Sequence, residues 1–244
     1  MNDNAPREGV EARVVSTQAL APDALRALYR KRAPRYDITS HLYGLLGYRV
    51  GAYRRRGIEQ LALNPGDTVV EIGCGTGANF AQLEHAIGST GTIIGVDMSP
   101  EMLDQARSRV RREGWSNVTL VESDAARYAF PKRINAILST YALTLVPSYD
   151  DVIRRGAEAL APGGRFVVVD IKAPRSWPEP VLRAIVPLFR PFGVTLDLRT
   201  RHPWESLAKY MNLLVMEARY LGTTYIAAGE RPAGARTGTG EARP

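Results

Sequence analysis

Between Asp67 and Gly77 the chain reads Asp-Thr-Val-Val-Glu-Ile-Gly-Cys-Gly-Thr-Gly, an apolar run that stops on an acid and then sets glycines at alternate positions. This stretch restricts the fold more than any other. Thr68, Val69, Val70 and Ile72 are β-branched, as a parallel strand covered on both faces requires, and Pro65-Gly66-Asp67 punctuates its start. Gly73, Gly75 and Gly77 remove side chains where backbone must approach a ligand closely. A helix is expected directly afterwards, over Asn79 to Ala86.

The downstream sequence repeats this strand-then-helix pattern. Thr92 to Val96 reads as a second buried strand that ends at Asp97. Ser99 as N-cap and Pro100 at the first helical position start a helix over Glu101 to Glu113. Val118 to Glu122 and Ile134 to Ser139 read as further strands, Asp151 to Leu160 as a helix, Pro162-Gly163-Gly164 as a turn, and Arg165 to Ile171 as a fifth strand. Alternation at these intervals predicts an α/β, doubly wound sheet, with ligands beyond the carboxyl ends of its strands.

Composition narrows the partners. The 244 residues include 32 Lys and Arg against 25 Asp and Glu, a net charge of +7 and a pI near 9.7. Nine basic residues against three acidic ones lie between Pro22 and Gln60, and six against two between Lys172 and Arg201. That balance suggests an anionic partner, nucleic acid, an acidic membrane surface or a phosphorylated substrate, with plain solubility as the alternative. Nucleic acid is disfavoured, because the basic residues alternate with aliphatic rather than stacking aromatic ones. No apolar run is long enough to span a bilayer, the N-terminus lacks a signal-peptide core, and the single Cys74 excludes an internal disulfide, so a reducing cytoplasm is expected.

Acids recur at the strand ends: Glu71 closes the first, Asp97 the second and Asp124 follows the third. An acid at the end of the second strand of such a sheet can accept both hydroxyls of an adenosine ribose. With Glu71-Ile-Gly-Cys-Gly-Thr-Gly77, Gly95-Val-Asp-Met-Ser99, Ser123-Asp-Ala125 and Leu160-Ala-Pro-Gly-Gly-Arg165, the chain resembles the class I S-adenosylmethionine-dependent methyltransferases. A nicotinamide-binding Rossmann domain usually puts two residues between its second and third glycines, and here all three glycines alternate.

The resemblance implies a Rossmann-like, mostly parallel seven-stranded sheet with an antiparallel last strand, matched by Leu213 to Tyr220 and Tyr225 to Ala228 around Gly222. It implies S-adenosylmethionine as cofactor and S-adenosylhomocysteine as product. Gly73, Gly75 and Gly77 would line the methionine part, with Glu71 behind them; Asp97 would hold the ribose, Met98 would pack on the adenine, and Asp124 with Ala125 would meet its edge. Residues 1–21 and 229–244 are expected to be disordered. Residues 22–66 would form a helical cap over the active site, and 67–228 the catalytic domain with an amphipathic basic insertion at 172–205.

The acceptor is left to the appended segments. Methyl transfer needs a nucleophile held in line and away from water, so the catalytic candidates are positioning residues, Tyr141 after the fourth strand and Tyr36 in Arg35-Tyr-Asp37. Tyr36-Asp37, Leu42-Tyr43 and Arg54-Arg-Arg56 resemble the cap of ubiquinone-type and bacterial phospholipid N-methyltransferases. That resemblance implies methylation of phosphatidylethanolamine toward phosphatidylcholine by an enzyme peripheral on the inner face of the cell membrane. Val181, Leu182, Ile185, Val186, Leu188, Phe189 and Phe192, flanked by Arg183 and Arg190, suit a segment in a membrane interface attracted to anionic headgroups, or alternatively a lid over a soluble substrate. Tyr29 and Tyr43 would surround the amine, and Lys172, Arg199, Arg201 and His202 would hold the phosphate. The alternatives are a soluble or prenylated acceptor such as a quinone precursor, and a cofactor-binding module without turnover.

Overall fold

A computed structural model describes residues 47–174, 177–180 and 196–233. Helix α1 (Val50–Gln60) leads into β1 (Thr68–Ile72), α2 (Phe80–Ile87), β2 (Thr92–Asp97), α3 (Pro100–Glu113), β3 (Val118–Glu122) and β4 (Ile134–Thr140). Then follow α4 (Tyr149–Ala159), β5 (Leu160–Ile171), α5 (Pro203–Tyr210), β6 (Asn212–Arg219) and β7 (Thr224–Glu230). The strands form one seven-stranded sheet in the order β3-β2-β1-β4-β5-β7-β6. Neighbours among β1 to β5 run parallel, and β7 runs antiparallel to both β5 and β6. This is the mixed sheet expected from the sequence.

Strand register places the ligand edge. Ile72 pairs with Val96 on one side and with Ser139 on the other, so the carboxyl ends of β1, β2 and β4 come level. Side-chain alternation then separates two cores: Phe166 and Val168 of β5 pack with Val70, Ile72 and Tyr225, while Val167 and Val169 pack with Val69, Phe80 and Ile58. Each large side chain so buried contributes about 1.5–3 kcal/mol. Local signals start and stop α3: Ser99 Oγ accepts the Met102 amide at 3.3 Å, and Gly114 ends the helix at φ +72°.

Several boundaries shift for tertiary reasons. The expected turn at Pro162-Gly163-Gly164 lies inside β5, which begins at Leu160 and slips register against β4 there. Arg231 holds that slip, because its amide donates to Gly164 O (2.9 Å) and its carbonyl accepts from Gly163 N (2.9 Å). The tail expected from Gly229 therefore starts too early, since Gly229 and Glu230 are paired strand.

The end of the expected cap is also part of the sheet layer. Helix α1 lies against β5 and β7, and a Cβ on Gly57 would come within 2.3 Å of Val169 Cγ2, so only glycine permits this approach. Arg165 Nη1 donates to Gln60 O at 3.1 Å near the start of β5, whereas Gly57 meets Val169 near its end. The helix thus runs antiparallel to β5 and points its first turns at the carboxyl edge. Tyr29, Tyr36 and Tyr43, and the apolar stretch from Val181 to Phe192, lie outside the described residues. Among those described, no helix is long and apolar enough to cross a membrane.

Candidate active site

A cleft opens at the carboxyl edge, floored by the glycine turn. Gly73 and Cys74 donate their amides to Val96 O at 2.8 and 3.0 Å, which folds the turn back over β2. Gly73 has φ +69° and sits so close to the β4 exit that a Cβ would fall 2.2 Å from Ala142 Cβ. Asp97 Oδ2 accepts the Gly75 amide (2.8 Å) and Oδ1 the Ser99 amide (2.9 Å). Burial nevertheless pushes the Asp97 carboxyl above its ordinary range. Met98, Asp124 and Ala125 complete this side of the cleft. Asp124 Oδ1 accepts the Ala126 amide at 2.9 Å, and Arg155 fastens the same loop by donating to Ala126 O (2.8 Å) and Tyr128 O (2.5 Å). Gly75, Asp97, Met98, Asp124 and Ala125 thus line one side of a single cleft.

The other end of the cleft is ionic. Glu71 is fully buried and its Oε1 accepts from Asn79 Nδ2 at 2.6 Å; the same amide donates to Thr140 Oγ1 at 3.0 Å. Burial lifts the Glu71 carboxyl to about 7, against the opposing effects of the Asn79 hydrogen bond and the Arg54 charge. Glu71 Oε2, Asn79 Oδ1 and Arg54 Nε are buried without a hydrogen-bond partner. Native interiors rarely leave such groups unpaired, so they mark a place for a polar ligand. An acceptor pair and a guanidinium at the end of a nucleoside cleft fit a zwitterionic amino acid joined to that nucleoside, which is the shape of S-adenosylmethionine.

Tyr141 lines the same cleft beside this ionic end. Its φ of +57° is strained for a non-glycine residue, and its amide donates to Val169 O at 2.8 Å. The Arg54 guanidinium lies 5.7 Å from its ring centroid and Tyr48 meets it edge-on at 6.3 Å. Tyr48 is itself fixed by a 2.7 Å hydrogen bond to Thr224 Oγ1. Leu145 and Val146 extend the wall from the short 3-10 turn Leu143–Leu145. That turn is gripped from both sides: Asp170 Oδ2 accepts the Thr144 amide (2.9 Å), and Arg201 Nη1 donates to Thr144 O (2.6 Å) and Val146 O (3.2 Å). Burial raises the Asp170 carboxyl to about 6.

Arg201, expected beside its neighbours on a phosphate, instead directs its Nη1 to the wall and does not line the second cleft. The other three predicted members of that group do converge. Lys172, Arg199 and His202 line a second cleft with Ala173, Pro174 and Trp204. Among the described residues no cluster of His, Cys, Asp and Glu could hold a metal ion.

Arg54, Asn79, Tyr48 and Asp170 were not singled out from the sequence. Arg54 stood inside a visible run of three arginines, yet only packing separates them: Arg55 is exposed, Arg56 reaches Glu217 at 2.8 Å, and Arg54 turns into the cleft. Asn79 read as a helix start, but its side chain makes no cap and goes to Glu71 instead.

A family model described as a methyltransferase domain matches residues 69–164. A 2-phytyl-1,4-naphtoquinone methyltransferase from Synechococcus elongatus is 32% identical over 67% of this chain and 69% of its own. A ubiquinone/menaquinone biosynthesis C-methyltransferase UbiE from Pseudomonas aeruginosa is 29% identical over 72% of this chain and 71% of its own. The fold is shared with a geranyl diphosphate C-methyltransferase from Streptomyces coelicolor, solved with S-adenosylhomocysteine, at a TM-score of 0.63 and 16% identity over 74% of this chain and 79% of that one. The chain belongs to the class I S-adenosylmethionine-dependent methyltransferases and is an enzyme that takes its methyl group from that cofactor.

Proposed function

We propose that the enzyme methylates a ring carbon of a small prenylated aromatic acceptor, such as the reduced form of a quinone precursor. The observation that carries this reading is the quinone chemistry named for both sequence relatives, one of them 32% identical. It replaces phosphatidylethanolamine, the expectation from the cap and the basic insertion, as the principal acceptor. The site is consistent with it, because Tyr141, Ala142, Leu145 and Val146 form an apolar wall beside the donor cleft. Such a wall suits a flat ring better than a hydrated ammonium.

In this reading Gly73, Gly75 and Gly77 let the backbone close on the methionine part, while Asn79 and Glu71 take its ammonium and Arg54 its carboxylate. Asp97 accepts from the ribose, with Met98, Asp124 and Ala125 around the adenine. The bound cofactor supplies a methyl group on a cationic sulfur. Tyr141 and the 143–146 wall hold the acceptor carbon in line and keep water away, which is the main contribution that transfer to a carbon nucleophile needs. A new carbon–carbon bond forms, the acceptor's ring proton passes to solvent, and S-adenosylhomocysteine leaves.

Incubation with methyl-labelled cofactor and a 2-prenyl-1,4-naphthoquinol kept reduced by dithionite should give a ring-methylated product. Labelling of phosphatidylethanolamine vesicles in place of the naphthoquinol would overturn the reading.

A further inference from the structure

We propose that the second cleft, lined by Lys172, Arg199, His202 and Trp204, is a subsite for an anionic oxygen group of the acceptor, a carboxylate or a phosphate. The inference rests on the reading that the acceptor is a small molecule, and adds a second point of recognition to it. Lys172 is held at the end of β5 by its amide, which donates to Thr223 O at 2.8 Å, and its ammonium lies 5.4 Å from the Trp204 ring centroid. Trp204 is packed between His202 (4.7 Å) and Tyr225 (4.8 Å), so the cleft has a rigid aromatic side. His202 is fixed by its amide, which donates to Tyr149 Oη at 3.2 Å, and its Nδ1 lies 3.2 Å from Glu205 Oε1. Arg199 is exposed and comes from the 3-10 turn Leu196–Arg199. Three basic residues from two segments, the end of β5 and the 199–202 stretch, thus face one polar cavity, the arrangement that recognises an oxyanion through charge-assisted hydrogen bonds.

The cleft is mechanically tied to the transfer site. Arg201, between Arg199 and His202 in the chain, is the residue that grips the carbonyls of Thr144 and Val146. An anion drawing Arg199 and His202 together therefore also steadies the wall formed by Leu145 and Val146.

The test reads binding independently of turnover. The protein has three histidines, so the His202 imidazole resonance is assignable by loss in a His202→Gln variant. Protein saturated with S-adenosylhomocysteine is titrated with inorganic phosphate and, separately, with benzoate, against chloride at equal ionic strength. The expected result is a saturable shift with a dissociation constant on the order of millimolar, weakened about tenfold or more in a Lys172→Gln/Arg199→Gln variant. A response to phosphate points to a phosphorylated acceptor and a response to benzoate to a carboxylated one; either supports the subsite. A shift that tracks ionic strength alone, or that survives the double substitution, overturns it. A saturable shift in an enzyme that fails to methylate the naphthoquinol would instead count against the proposed acceptor and leave the subsite standing.

Discussion

The two halves of the site are built differently. The donor half is mostly main chain: Gly73, Cys74, Gly75 and Ser99 present amides that Val96 O and Asp97 fix in place, all within a short span of sequence around β1 and β2. The acceptor half is mostly side chain, assembled from α1, the β4 exit, β5 and residues 199–204, with Asp170 and Arg201 reaching the 143–146 turn from distant parts of the chain. A site made from backbone tolerates little change and binds one ligand. A site made from long side chains on variable segments can be refitted to new acceptors on the same frame.

That contrast breaks most readily at Gly73. Gly73→Ala puts a Cβ 2.2 Å from Ala142 at a positive φ, and should cost about 2–3 kcal/mol of stability, read as a lower melting temperature, together with most of the cofactor affinity by calorimetry. Asp97→Ala leaves the Gly75 and Ser99 amides without their acceptor; cofactor affinity should fall about 30- to 1,000-fold, or about 2–4 kcal/mol.

On the acceptor side, Asp170→Ala strands the buried Thr144 amide at a cost of about 1–3 kcal/mol. Its activity should show a raised acceptor KM with cofactor affinity nearly unchanged, and Asp170→Asn, which keeps one carbonyl acceptor, should recover part of it. Equal losses on both sides would erase the distinction between the halves.

Protonation sharpens the same comparison. The Glu71 carboxyl stands at about 7 in the folded protein against an ordinary 4.5, so the folded chain binds the extra proton between those values and this group's contribution to stability declines as pH rises through the window. A cationic ammonium favours the ionised carboxylate, so cofactor affinity should rise from about pH 6 to about pH 8, by up to tenfold per unit, and Glu71→Gln should flatten that dependence. The smallest effect belongs to Arg199→Gln. As an exposed charge it should change acceptor KM by about 1 kcal/mol or less and cofactor affinity not at all.

The donor half was legible because its determinants are local. Asp97 closes its strand while Gly73 and Asp124 follow theirs within two residues, and period-two burial with helical connections fixes where strand ends meet. The cap over Ser99-Pro100 was legible for the same reason. Arg54, Asp170 and Arg201 were not, since a charged residue's role depends on what lies across the fold. Arg201 and Arg199 are near neighbours of the same charge sign, yet one braces the wall through Thr144 O and the other faces the second cleft.

The sequence by itself determined the mostly parallel sheet and the glycine turn at its ligand edge, because apolar periodicity and glycine placement act over a few residues and need no distant partner, and the methyl donor came from the motifs' resemblance to a known family. Tertiary structure alone decided which arginine enters the donor cleft, which carboxylate and arginine grip the acceptor wall, and that Arg201 leaves the group in which Lys172, Arg199 and His202 share a cavity. Those choices depend on burial and on hydrogen-bond partners far apart in the chain: α1 reaches the edge only because Gly57 lets it lie against Val169, and the Arg54 Nε is covered only because α1 lies there.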